Sequence, residues 1–127
     1  MKCPCCSEKL YKDCCEIAHL DLTQVKTAED LMRSRYAAFV FANGDYLMAS
    51  HHESTRPSKE KKSIVQWSKS VDWIKLDILK TTKGLEADTE GTVEFKAIFQ
   101  EEGELQMIHE NSRFVKENGC WFYIDAL

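Results

Sequence analysis

Arg113-Phe114-Val115-Lys116-Glu117-Asn118-Gly119-Cys120-Trp121-Phe122-Tyr123 sets two β-prone runs on either side of a single Asn-Gly pair. Asn-Gly accepts positive φ at both central positions of a type I′ turn, which joins antiparallel strands through two residues. Counting outward from that turn places Glu117 opposite Cys120, Phe114 opposite Tyr123 and Ser112 opposite Asp125. Period-two alternation extends upstream, so the sequence predicts strands over Trp73 to Lys80, Thr92 to Gln100, Leu105 to Lys116 and Cys120 to Ala126, separated by Lys83-Gly84, Glu102-Gly103 and Asn118-Gly119. A two-residue turn at Glu102-Gly103 puts Phe95 opposite Glu110 and Ala97 opposite Ile108, whereas a three-residue turn there would turn the earlier strand over. One face then carries Val93, Phe95, Ala97, Phe99, Ile108, Glu110, Ser112, Phe114, Trp121, Tyr123 and Asp125. It is apolar at its ends and polar in the middle, the pattern of a pocket lined by a sheet and lidded by helices.

The helices come before the strands. Thr27 precedes a 3.6-period run through Ala28, Leu31, Met32, Tyr36, Phe39 and Val40, with Asp30 three residues after the cap and Asn43-Gly44 as the stop. Asp45 to His51 reads as a short second helix and Ser58 to Ser70 as a third, with Ile64, Val65 and Trp67 facing inward and Pro57 in the loop between. The expected class is α+β. Arg35 falls on the apolar stripe of the first helix, and a buried guanidinium without an acceptor costs several kcal/mol. Glu110 and Asp125 are the carboxylates expected to neutralise it as a strut. Left unpaired, they would form a candidate general acid and base.

At the N-terminus, Cys3-Pro4-Cys5-Cys6-Ser7-Glu8-Lys9-Leu10-Tyr11-Lys12-Asp13-Cys14-Cys15 holds five of the six cysteines. Two cysteine pairs across so short a loop have the spacing of a zinc site, with Cys3, Cys5, Cys14 and Cys15 as four thiolate ligands at Zn–S distances of ~2.3 Å. The segment has too few apolar residues to fold alone, so metal binding would supply its folding energy. A disulfide framework is the competing reading. It lacks the secretory signal that would accompany it, and a cytoplasmic, reducing location is expected. Cys6 is a spare thiol or a substitute for Cys5, and Cys120 reads as a small core residue.

The pattern C-P-C-x-S-x-x-x-Y-x-x-C-C resembles the SEC-C motif, the zinc knuckle also found at the C-terminus of the SecA translocation ATPase. Leu31-Met32-Arg33-Ser34-Arg35-Tyr36-Ala37-Ala38-Phe39, Asp45-Tyr46-Leu47, Glu110-Asn111-Ser112-Arg113-Phe114 and Gly119-Cys120-Trp121-Phe122-Tyr123-Ile124-Asp125 resemble the blocks of the bacterial YchJ family. The resemblance implies a SEC-C knuckle over residues 1–22 joined to a nuclear-transport-factor-two-like (cystatin-like) domain over 23–127, and no established reaction. Cys6 and Glu8 stand where the knuckle usually has glycines, which predicts a strained or rearranged loop. Ser50-His51-His52-Glu53 matches a T-x-H-P block without its proline. Longer members carry a second knuckle, so a function needing two is expected to be absent here or to need a dimer.

Composition bounds the function classes. With 127 residues, 43% hydrophobic and 30% charged, the chain suits one compact unit with no membrane span. The formal charge is −4, and four thiolates with one Zn²⁺ bring it to about −6, which disfavours broad nucleic-acid affinity outside a ribonucleoprotein. Basic residues concentrate in 55–83 and acidic ones in 86–110, so the molecule is dipolar, with a basic patch from Arg56 to Lys62. His52 is expected at the cavity rim beside Arg35, Tyr36, Glu110, Ser112, Tyr123 and Asp125; His51 points elsewhere, and His19 is a substitute fourth ligand that a four-thiolate shell does not need.

Two function classes remain. In one, the knuckle presents Lys9, Tyr11 and Lys12 to a protein or ribonucleoprotein partner. In the other, the α+β domain binds a small molecule or carries lyase, isomerase or hydrolase-type chemistry. No phosphate loop, dinucleotide fingerprint or Ser-His-Asp spacing favours an enzyme. A filled core favours the first class, and an open pocket with an unpaired carboxylate the second.

Overall fold

The computed structural model describes residues 1–127. An antiparallel bridge between Lys2 and Leu10, a 3-10 turn at Tyr11–Asp13 and helix α1 (Cys15–Leu20) fold the first twenty residues into a knuckle. Helix α1 is absent from the sequence expectations, which treat this segment as a metal-held loop. Helix α2 (Ala28–Val40) begins where expected, with the Thr27 hydroxyl accepting from the Asp30 amide at 3.1 Å. Its stop differs. Ala42 takes the left-handed position at φ 54°, and Asn43 instead caps helix α3 (Gly44–Ala49) by accepting from the Tyr46 amide. A 3-10 turn at Ser58–Glu60 leads into helix α4 (Lys61–Ser70).

Strands β1 (Asp72–Lys83), β2 (Glu90–Glu101), β3 (Glu104–Glu117) and β4 (Cys120–Ala126) form one antiparallel sheet in the order β1-β2-β3-β4. Both tight turns are two-residue turns with positive φ at each centre, 52° and 81° at Glu102-Gly103 and 51° and 78° at Asn118-Gly119. The pairings Phe95–Glu110, Ala97–Ile108, Phe114–Tyr123 and Glu117–Cys120 follow the count from the turns. Ser112–Asp125 does not. An irregularity between Phe114–Tyr123 and Arg113–Asp125 inserts Ile124, so Ser112 pairs with Ala126. The Ile124 carbonyl at this bulge accepts from the Thr55 hydroxyl at 2.6 Å.

The helices cover one face of the sheet. Val93, Phe95, Ala97, Phe99, Phe114 and Trp121 are buried there with Leu31, Met32, Tyr36 and Leu47 of the helices. Each fully buried large side chain contributes ~1.5–3 kcal/mol of transfer free energy. The Trp121 indole N–H donates to the Lys26 carbonyl at 3.1 Å, tying the last strand to the entrance of α2. The opposite face is polar, with His109 against Glu94 at 2.8 Å. No helix is long and apolar enough to cross a membrane.

Gly44 is needed for space, since its φ is ordinary: a Cβ there would lie 2.6 Å from Val65 Cγ2 of α4. Gly44→Ala is therefore expected to destabilise the protein by ~1–3 kcal/mol through overpacking, read as a lower urea midpoint at unchanged m-value.

Candidate functional site

Two sites share helix α2. The first is the cysteine cluster. The Sγ atoms of Cys3, Cys5, Cys14 and Cys15 all lie within 4.8 Å of one another, and Cys3, Cys5 and Cys15 are buried. Cys5 and Cys14 are 3.6 Å apart and Cys14 and Cys15 3.9 Å, against an edge of ~3.8 Å for a sulfur tetrahedron with ~2.3 Å metal–sulfur bonds. Hydrogen bonds from Cys15 and Ser7 draw the Cys5 thiol down to about 4. Burial pushes Cys3 up to about 11, and the hydrogen bond with Cys5, with burial, pushes Cys15 up further. Four soft donors gathered at one point make a metal-holding set. Cys6 is exposed and outside this set. Cys6 and Glu8 do adopt left-handed φ of 67° and 70°, as glycines would without strain.

The knuckle is fastened to α2. Ala37 of α2 packs among Cys3, Cys5 and Cys15, and the Arg33 guanidinium donates to the Cys5 carbonyl at 2.7 Å. His19 Nε2 lies 2.8 Å from the Ser34 carbonyl, so it donates there and Nδ1 accepts from the Tyr11 hydroxyl at 2.7 Å. Both ring nitrogens are thus occupied, which removes His19 as a fourth ligand. Tyr11 also packs edge-on against Phe41 at 5.0 Å and serves as an anchor, while Lys9 and Lys12 are exposed.

The second site is a partly enclosed cavity of about 250 Å³ between the sheet and helices α2, α3 and α4. Phe39, Trp67, Trp73 and Ile64 supply apolar wall, and Arg35, His51, Glu110, Ser112 and Tyr123 the polar groups. Arg35, 7% exposed, donates through Nη1 to the Leu47 carbonyl at 2.9 Å and the Ser50 hydroxyl at 2.7 Å, and stacks over the Tyr123 ring at 4.8 Å. It forms no ion pair with Glu110 or Asp125, contrary to the expected strut. Burial lowers its pKa to about 10, so it stays charged at neutral pH. Glu110 accepts from the Ser112 hydroxyl at 3.2 Å.

Two pocket assignments are corrected. Asp125 faces the other side of the sheet, where Arg113 grips it through Nε and Nη2 at 2.7 Å each; the inserted Ile124 reverses its facing. His52 bonds Glu117 through Nε2 at 2.7 Å and Ser54 through Nδ1 at 2.7 Å. Its neighbour His51 lines the cavity, with its ring edge-on to Tyr123 at 4.9 Å. Both histidines lie past the end of α3, where an extended bridge to Tyr123 sends successive side chains to opposite sides. The aromatic wall from α4 and β1 was missed as a site, although Ile64 and Trp67 share a helix face.

Comparison with known proteins places these features in context. Residues 27–126 match the family described as YchJ, middle NTF2-like domain. A UPF0225 protein of Vibrio parahaemolyticus is 46% identical over 124 residues, covering 98% of this chain and 73% of that protein. A UPF0225 protein of Shewanella sp. strain ANA-3 is 42% identical, covering 95% and 77%. The solution structure of a SEC-C motif containing protein from Rhodopseudomonas palustris superposes with TM-score 0.85 at 32% identity, covering 100% of this chain and 98% of that one. The crystal structure of a SEC-C motif containing protein from Psychrobacter arcticus gives TM-score 0.81 at 32% identity, covering 97% and 80%.

Burial, with the charges of Arg35 and Arg56 beside it, depresses the His51 pKa from 6.5 to about 4. Between those values the unfolded chain binds more protons here than the folded one, so stability rises with pH across the window and is lost on acidification. His51→Gln is expected to flatten the dependence of urea midpoints on pH between about 6.5 and 4, and an unchanged slope would place the titration elsewhere.

Proposed function

We propose, for a chain that belongs to the YchJ family of SEC-C proteins, that the α+β domain binds a small molecule and that the knuckle, holding Zn²⁺, braces the helix that walls the binding cavity. The observation that carries this reading is the open cavity, where Arg35 and Glu110 line one space without pairing. An interaction scaffold has no need of such a space, whereas a binding domain does: mostly apolar walls with a few convergent polar groups are the usual composition of a ligand site. At about 250 Å³ the cavity suits a ligand smaller than a drug-sized one.

Zn²⁺ is the metal that four thiolates in a tetrahedral cluster best accommodate in a reducing compartment. Its role here is structural. Cys3, Cys5, Cys14 and Cys15 complete the shell with no position for a substrate, and the docked knuckle covers Ala37 and Arg33 of α2.

A second reading rests on a different observation. Leu10, Ile17 and Leu20 of the knuckle are exposed beside Lys9 and Lys12. Exposed apolar side chains on a segment that also exposes Lys9 and Lys12 suit a protein partner, including one within a ribonucleoprotein.

Metal analysis is expected to find one zinc per chain, lost in Cys15→Ser while the far-UV spectrum of the sheet persists; retention of zinc in that variant would refute the ligand set. Native mass spectra of protein purified from its own cells should show a bound small molecule, absent when Ala97→Leu fills the cavity. Charge reversal of Lys9 and Lys12 should leave that ligand and the zinc in place. Loss of a captured protein in this variant, with an empty cavity in the parent, would favour the second reading.

A further inference from the structure

Within the binding cavity one charge has no countercharge in contact. The Arg35 guanidinium is nine-tenths buried, yet its partners are a carbonyl, a hydroxyl and the face of Tyr123, all neutral. Only Nη1 is engaged by the protein. Nη2 and Nε bond to no protein atom, and neither is sealed from the surroundings as an unsatisfied buried donor, so both open onto the cavity that Arg35 lines. Stacking on Tyr123 fixes the plane of the fork, and the bonds to Leu47 and Ser50 fix its direction.

The surrounding groups sharpen the chemistry. His51 is neutral at physiological pH and adds no positive charge. Glu110 stands on the facing strand, half-exposed and held by Ser112, and its charge opposes a ligand carrying two negative charges. Beyond the polar end, Phe39, Trp67 and Trp73 form an apolar wall of mutually packed rings, with Trp67 edge-on to Trp73 at 5.4 Å. A planar fork that presents two free donors matches the two oxygens of a carboxylate, and in a site of low dielectric the attraction is far stronger than in water.

We infer that the cavity recognises a small monocarboxylic acid with an aromatic or aliphatic body, its carboxylate held by Arg35 Nη2 and Nε and its body packed against the aromatic wall of Phe39, Trp67 and Trp73. This inference rests on the small-molecule reading of the cavity and deepens it by naming the ligand class.

The test uses the full zinc-loaded chain and two probes of nearly equal shape, 3-phenylpropionate and 3-phenylpropionamide. Trp67 and Trp73 line the cavity and the third tryptophan, Trp121, is fully buried, so intrinsic fluorescence reports occupancy, with calorimetry for the affinities. The acid is expected to bind at least about tenfold more tightly than the amide, the size of a charge-assisted bidentate contact. Arg35→Met should erase that preference and Arg35→Lys should keep part of it. Glu110→Gln, which removes the negative charge from the same cavity, should hold or tighten acid binding. Equal affinity for acid and amide in the parent protein, a comparison that needs no variant to fold, overturns the inference while leaving the cavity a binding site. Failure of both probes to perturb Trp67 and Trp73 overturns the small-molecule reading itself, and the inference with it. Weaker acid binding in Glu110→Gln would assign recognition to the carboxylate side and refute the role given to Arg35.

Discussion

Helix α2 is packed on three sides, and that packing is the constraint on which the rest of the structure depends. Leu31 and Tyr36 face the sheet, Ala37 carries the cysteine cluster, and Arg35 projects between α3 and β4. A helix packed on three sides has no room for bulk at each contact, and Ala37 and Ala38, both fully buried, are the small residues that permit the close approach. The helix also has little freedom to move. That rigidity positions the guanidinium, because a long side chain is aimed only as well as the backbone beneath it.

The knuckle illustrates a different balance. Its few apolar residues are largely exposed, and its turn holds Cys6 and Glu8 in a left-handed conformation that L-residues adopt at ~1–2 kcal/mol each. Hydrogen bonds to α2 through Arg33 and His19 offset part of this. A metal held by the four thiolates would supply the remainder, since such bonds far exceed this strain in strength. A loop with that reserve tolerates substitutions that would unfold an apolar turn.

Much of the sheet was legible in the sequence because Asn118-Gly119 and Glu102-Gly103 permit few turn geometries, and register follows from the turn by counting. Counting failed only past Ile124, since a bulge stabilised by a hydroxyl from Thr55, distant in sequence, leaves no local signal. The same blindness placed Asp125 in the cavity and preferred His52 to His51. Both errors concern facing, which depends on tertiary contacts beyond a helix or strand end. The cysteine spacing was readable because thiolate ligands are brought together by a short loop. Arg35 was recognised as buried, but its neutral partners were not, because backbone carbonyls such as that of Leu47 accept charge without any signature in residue type.

The link from Trp121 to Lys26 spans 95 positions, and Tyr123 meets Arg35 and His51 across similar distances in the chain. Every strand pairing, by contrast, joins neighbours in sequence. The hairpins can therefore close early and locally, while α2, although synthesised first, has no finished surface to pack against until β4 exists. During synthesis the knuckle and the helices can form before β4, but the interior stays incomplete until that strand has emerged. The interior is completed when the seven-residue strand β4 closes over α2.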